Sequence, residues 1–177
     1  LGLKTVYATQ FDETPPEGVP ADAVAEALAV RKARVAAARA PGRAVLCADT
    51  TVVLDGALLG KPADAADAAR ILRALSGRTH AVVTGVAVAR DGVLESAADR
   101  ALVTFRALDD AEIARYVATG EPLDKAGAYA IQGGAAGFVA RREGRVDTVV
   151  GLPVPLVVAL LARLAAAGAP PPAPRRP

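Results

Sequence analysis

The segment Ala44-Val45-Leu46-Cys47-Ala48-Asp49-Thr50 constrains this chain most, because an apolar run of strand character ends in a carboxylate and a hydroxyl. A run such as Ala-Val-Leu-Cys-Ala is driven into a core, and an acid directly behind it must be compensated there. α/β proteins hold ligands at the carboxyl ends of strands, which gives such an acid a purpose. The competing reading, an acid that caps a turn, is weakened by the further apolar run Thr51-Val52-Val53-Leu54 that comes at once after it.

The surrounding pattern supplies helices and strands together. Residues 21–40 read as a helix with Val24, Leu28 and Val35 on one stripe. Lys32 falls on that stripe, so its ammonium either snorkels from the edge of the face or reaches into a cavity. A strand over 43–48 is followed by Thr51 to Leu54, an Asp55-Gly56 hairpin turn and Ala57-Leu58-Leu59. A second helix over 64–75 carries Ala68, Leu72 and Leu75 inward and stops at Ser76-Gly77. Ala81 to Val88 reads as a strand, turned at Asp91-Gly92 into further strand residues near 94–96 and 101–105. Asp109 and Glu112 form a capping box for a helix through Val117, ended by Gly120. Gly137 to Ala140 and Val146 to Val150 read as a strand pair around Glu143-Gly144, and Pro153 opens a last helix with Leu156, Leu160, Leu161 and Leu164. Strands joined by both helices and hairpins imply an α/β fold with a mixed, twisted β-sheet flanked by helices.

One domain is expected over residues 1–164, followed by a mobile Ala/Pro-rich tail over 165–177. With 53% hydrophobic but only 3% aromatic residues, the core must be built from Val, Leu and Ala. A single cysteine excludes an internal disulfide and a cysteine metal cluster, and Cys47 reads as a small buried hydrophobe. A single histidine excludes a histidine-based zinc cluster, and His80, in Ser76-Gly77-Arg78-Thr79-His80, reads as structural rather than catalytic. The formal charge of +2, without a basic stripe, argues against a nucleic-acid polymer as partner. No apolar run approaches a membrane span and no signal-like segment opens the chain, so a cytoplasmic location without membrane attachment is expected.

Several polar groups remain to be explained. Lys61-Pro62 is either a solvated lysine at a rigid boundary or a charge held against phosphate by a stiffened loop. In Glu121-Pro122-Leu123-Asp124-Lys125-Ala126-Gly127, Asp124 can serve a metal or position water, and Lys125 can balance negative oxygens. Gln132 offers the donor and acceptor of an amide to a base edge, and Gly133-Gly134 beside it permits close approach of backbone or ligand. Glu13 is a further carboxylate. Neither a GxGxxG nor a GxxxxGK[ST] motif is present, so any phosphate is held outside those frameworks.

In order along the chain, ADTTVVLDGALLGKP (48–62), AARILRALSGRTHAVVTGVAV (68–88), VTFRALDDAEIARYVATGEPLDKAGAYAIQGG (103–134) and VVGLPVPL (149–156) resemble the Maf family of nucleoside triphosphate pyrophosphatases. The resemblance spans nearly everything from Arg31 to Leu164. The DKAGAYAIQG version of the loop is similar to the branch acting on dTTP and UTP, and differs from the branch associated with 7-methyl-GTP. The resemblance implies a Maf-like (ITPase-like) fold and hydrolysis between the α and β phosphates, limiting non-standard or excess nucleotides. It implies the catalytic acid at Asp49, substrate selection by Thr50 and Gln132, and phosphate binding by Lys32, Lys61 and Lys125. It further implies a divalent metal, Mg²⁺ or alternatively Mn²⁺, supported by Glu13, Asp49 and Asp124, and a homodimer. Under it, Lys32 belongs to the pocket. Family members open with a strand and an SxSPRRxxLL-like segment, and Leu1-Gly2-Leu3 matches only the residues directly behind that segment. The domain is therefore expected to be N-terminally incomplete, with a sheet position unfilled. Two alternatives stay open: a nucleotide-binding protein with weak or no catalysis, or a pyrophosphatase for other modified nucleotides.

Overall fold

Two Asp-Gly turns organise the sheet. Asp55 and Gly56 have φ of 51° and 78°, and Asp91 and Gly92 have φ of 49° and 85°. Positive φ at both central residues is the signature of the hairpin turn whose twist matches that of its strands. The computed structural model describes residues 13–167. In chain order these form helix α1 (Ala21–Arg39), strands β1 (Val45–Leu54) and β2 (Ala57–Leu59), helix α2 (Ala65–Leu75), and strands β3 (Thr79–Arg90) and β4 (Val93–Phe105). Helix α3 (Asp110–Ala118), three 3₁₀ turns between 121 and 138, strand β5 (Val139–Glu143), and helices α4 (Val146–Val150) and α5 (Val154–Ala167) complete them.

The strands lie in the order β2-β1-β3-β4-β5. The α/β architecture with flanking helices is as expected, but every pairing among the described residues is antiparallel rather than mixed. The cause lies in the first hairpin. β2 reverses against β1, and α2 then carries the chain across β1 so that β3 enters on its other side in the direction of β2. A crossover that spans an intervening strand thus yields an antiparallel neighbour on each side.

Several boundaries differ from the sequence reading, among them the strand expected over Gly137 to Ala140, which runs from Val139 to Glu143. The expected strands over 43–48 and 51–54 are one ten-residue strand, so Asp49 and Thr50 lie inside β1 and not at its end. The strand segments near 94–96 and 101–105 likewise form one strand, β4. Val146–Val150 is helical, not a strand: Arg145 holds Asp147 at 2.8 Å in its first turn, and Gly151 closes it at φ 110°. Helix α5 runs to Ala167, past the expected start of the tail at 165, while 168–177 and the Leu1-Gly2-Leu3 match lie outside the described residues.

Helix α1 covers one face of the sheet with alanines. Ala25, Ala29, Ala33 and Ala36 are buried against Val45, Val53, Ala81, Val83, Ala87 and Ala89. Small side chains allow the helix to sit close, and Gly85 makes the approach closer still. A Cβ at Gly85 would lie 2.3 Å from the Cα and N of Glu26. On the other face, α2 and α3 pack Leu72, Leu75 and Ile113 against Val52, Val82, Val103 and Phe105. Each fully buried leucine there contributes about 1.5–3 kcal/mol. Further along the same face, α5 packs Leu160 and Leu164 on Val86 and Val88. The capping box on α3 forms as expected, with the Asp109 side chain accepting from the Glu112 N–H at 2.7 Å. No described helix is long and apolar enough to cross a membrane.

Candidate active site

Strand β2 pairs only with Val52, Val53 and Leu54, so among the described residues Asp49 and Thr50 are bonded to β3 alone. Neighbouring strand residues point to opposite faces. Asp49 therefore meets α1, and Thr50 meets α4. No described strand flanks β1 on the side away from β3 at these positions, and both side chains still reach one cleft of about 400 Å³. Glu13, Lys61, Asp124, Lys125 and Gln132 line the same cleft, with Val52, Val82, Tyr129, Ile131 and Val149 as its apolar part. Of the residues singled out from sequence, only Lys32 does not line it, and Lys32 is joined to it through Asp49.

The charges form two groups. Lys32 Nζ donates to Asp49 Oδ1 at 2.6 Å and to Glu13 Oε1 at 3.2 Å, and Lys61 Nζ donates to Glu13 Oε2 at 2.7 Å. Lys125 Nζ donates to Asp124 Oδ1 at 2.7 Å. Lys32 thus reaches inward and does not snorkel; its side chain is only 20% exposed. Lys61 is exposed but ion-paired, which removes the reading of a merely solvated lysine. Burial pushes the pKa of Asp49 up, and the bond from Lys32 pulls it down without cancelling the effect. Burial also opposes the charge on Lys32, yet Asp49, and then Glu13, hold its pKa above the ordinary value. Lys61 is the foremost cause of the lowered pKa of Glu13, and Lys125 of that of Asp124. A partly buried carboxylate of raised basicity can take a proton, and ammonium groups beside it can neutralise phosphate oxygens.

As metal donors, Glu13 and Asp49 are hard carboxylates that converge on one ammonium, which suits a cation bound by one or two carboxylates together with substrate phosphates. No group of three or more acidic, histidine or cysteine side chains converges among the described residues. Asp124 lines the cleft from its own pair with Lys125.

The part of the cleft formed by Thr50 is held from beneath. Thr50 Oγ1 and Thr84 Oγ1 lie 2.8 Å apart, and Thr84 Oγ1 donates to the Thr148 carbonyl at 2.6 Å. The loop that carries Lys125 and Gln132 is pinned at Gly127. Its N–H donates to the Gly60 carbonyl at 3.1 Å, and a Cβ there would lie 2.8 Å from Val52 Cγ2. Gly133 and Gly134 do permit close approach, but of Glu121 and not of a ligand. The Gly134 N–H donates to Glu121 Oε2 at 2.9 Å, and a Cβ at Gly133 would lie 1.9 Å from Glu121 Oε1. Beneath the loop, His80 Nε2 and Tyr129 Oη are 2.8 Å apart, and both rings stack edge-on with Phe105. Burial lowers the pKa of His80 to about 4, and its place under the cleft is structural. Cys47 is half-buried against α1, and burial raises its thiol pKa, which makes it a poor nucleophile. The sequence reading passed over Thr84, Gly85 and Thr148. The signal for the first two was a Thr-Gly pair that interrupts an otherwise apolar run, Ala81 to Ala89.

A cleft lined by lysines and carboxylates together with Val52, Val82, Tyr129, Ile131 and Val149 suits a ligand that has both an anionic and an apolar part. The family model described as Maf-like protein matches residues 1–164, and the chain belongs to the Maf family. It is 54% identical over 159 residues to a dTTP/UTP pyrophosphatase of Myxococcus xanthus, covering 90% of this chain and 81% of that protein. It is 49% identical over 157 residues to a protein of the same name from Pelotomaculum thermopropionicum, covering 87% and 82%. With the one from Geobacter metallireducens it shares 52% identity over 160 residues, covering 86% and 81%.

Proposed function

We propose that this chain is a nucleoside triphosphate pyrophosphatase that hydrolyses dTTP and UTP to the nucleoside monophosphate and pyrophosphate, limiting non-standard or excess nucleotides. The observation that carries the reading is Asp49, a carboxylate of raised pKa bonded to Lys32 in a cleft that Thr50 and Gln132 also line. The names of the three relatives support the choice of substrate.

In this mechanism Asp49 takes a proton from the water whose oxygen attacks the α-phosphorus. The bond from that phosphorus to the bridging oxygen breaks, and the electron pair leaves with pyrophosphate. Lys32 keeps the Asp49 carboxylate oriented, through the 2.6 Å bond. Lys61 and Lys125, now paired with Glu13 and Asp124, exchange those partners for the β and γ phosphate oxygens and offset charge on the leaving group. Glu13 and Asp49 would hold a Mg²⁺ or Mn²⁺ ion with Asp124 in support; bound there, the ion would neutralise phosphate oxygens. Thr50 and Gln132 read the edge of the base. The reading carries with it a cytoplasmic homodimer.

The test is turnover of dTTP and UTP by the chain and by Asp49→Asn, with Mg²⁺ present. Loss of a general base costs about 10²–10⁴-fold. The variant is expected to lose that much while its far-UV circular dichroism is unchanged. A folded Asp49→Asn protein with near-normal turnover would sink the assignment.

A further inference from the structure

Thr50, Thr84 and Asp99 occupy directly opposed positions on β1, β3 and β4. They share one face of the sheet, and α4 lies over them. Thr84 and Thr148 are fully buried, so their hydrogen bonds must be made within the protein. Each threonine hydroxyl has a single proton to donate. The Thr148 carbonyl, 2.6 Å from Thr84 Oγ1, can only accept, so the Thr84 proton is committed to it. Thr84 Oγ1 can then only accept in its 2.8 Å contact with Thr50 Oγ1, which makes Thr50 the donor. Thr148 in turn donates its own hydroxyl proton to Asp99 Oδ2. The direction of donation is thereby set throughout, from the cleft to Thr84 and α4, and from α4 to β4. Gly151 sits against the same hydroxyl, where a Cβ would come within 3.1 Å of Thr50 Oγ1.

Thr50 lines the cleft with its proton already spent, so it presents only lone pairs to a ligand. We propose that Thr84 is a positioning residue that makes Thr50 a pure hydrogen-bond acceptor, and that the cleft thereby selects bases with an N3–H donor, uracil and thymine, against cytosine. The proposal rests on the reading of the cleft as a dTTP/UTP pyrophosphatase site. Cytosine carries a lone pair at N3, which would face the lone pairs of Thr50. Gln132 has both a donor and an acceptor and can serve either base. Discrimination at N3 therefore falls to Thr50, and its polarity is imposed by a residue that never touches the ligand.

The test compares UTP, CTP and 3-methyl-UTP, in which the imide proton is replaced by methyl, on the wild type, Thr84→Val and Thr84→Ser. In the wild type, kcat/KM for 3-methyl-UTP should fall at least about tenfold below that for UTP, the scale of an unmade hydrogen bond to a buried group. In Thr84→Val the Thr50 proton is released to turn into the cleft, and the UTP-to-CTP ratio of kcat/KM should fall about tenfold. Thr84→Ser, which keeps the hydroxyl, should restore it. A merely structural role for Thr84 would lower both substrates together and leave the ratio alone. An unchanged ratio in folded Thr84→Val, or equal turnover of UTP and 3-methyl-UTP by the wild type, overturns the proposal. If Thr84→Val does not fold, equal turnover of UTP and 3-methyl-UTP by the wild type still overturns the proposal. Calorimetric binding of the α,β-methylene analogues of UTP and CTP separates the two levels. Absence of UTP hydrolysis with preferred binding of the UTP analogue refutes the catalytic reading alone, whereas UTP hydrolysis with equal binding of the two analogues refutes the role of Thr84.

Discussion

Acidification should weaken this protein at His80 in particular. His80 is 2% exposed, and its only hydrogen bond among the described residues is to Tyr129, leaving the buried Nδ1 without a partner. A protonated ring would bury an N–H with nothing to accept it, which is why burial lowers the pKa from 6.5 to about 4. Between those values the unfolded chain binds a proton that the folded chain refuses. The contribution of His80 is therefore fully present above about pH 6.5 and is lost as the pH falls toward 4. At about 1.4 kcal/mol per unit the loss reaches about 3 kcal/mol. The assay is urea denaturation from pH 7 to pH 4 on the wild type and His80→Gln, with the difference between them cancelling what the carboxylates do in both. The wild type should lose about 3 kcal/mol more than the variant over that range. As the only histidine, His80 gives a single imidazole resonance whose titration can be followed directly. A ring that titrates near 6.5 in the folded protein, or parallel pH profiles for the two proteins, would show that the His80 site does not exclude the proton.

Two further predictions concern α1 and the acid it supports. Gly85→Ala drives a Cβ into the backbone of Glu26, which no rotamer relieves, so α1 must lift at a cost of about 1–3 kcal/mol. Melting temperature should fall, and turnover with it as Lys32 withdraws from Asp49; a variant unchanged in both would contradict the packing argument. If Asp49 serves as the base, kcat/KM should be lost as the pH falls through its pKa, which burial raises from the ordinary value. In Lys32→Met burial acts with much less opposition, and the acid limb of the pH–rate profile should move to higher pH. A limb that stays in place or moves down would show that Lys32 does not set the charge state of Asp49.

Local chemistry made much of the fold legible. The Asp-Gly turns, the Asp109–Glu112 capping box and the inward stripe of α2 each depend on a few adjacent residues, and each appears where the sequence placed it. Asp49 was visible as an anomaly, but its position inside β1 was not. Its partner Lys32 comes from α1, 17 residues away in sequence, and without that partner a polar pair looks like the end of a strand. Val146–Val150 misleads for a related reason. Its three valines and one threonine favour a strand, yet Thr148 is claimed by Asp99 and Thr84, and the segment coils to deliver it. The polar connection from Thr50 to Asp99 joins β1, β3, α4 and β4, and only the register of the sheet brings it together.

Under the proposed function, water attacks UTP and dTTP at the α-phosphorus. UTP incubated with the protein and Mg²⁺ in ¹⁸O-labelled water, followed by mass spectrometry of the products, tests it most directly. UMP carrying one ¹⁸O together with unlabelled pyrophosphate is expected. Labelled pyrophosphate with unlabelled UMP would contradict the point of attack. UDP with orthophosphate, or no turnover of either nucleotide, would contradict the activity itself.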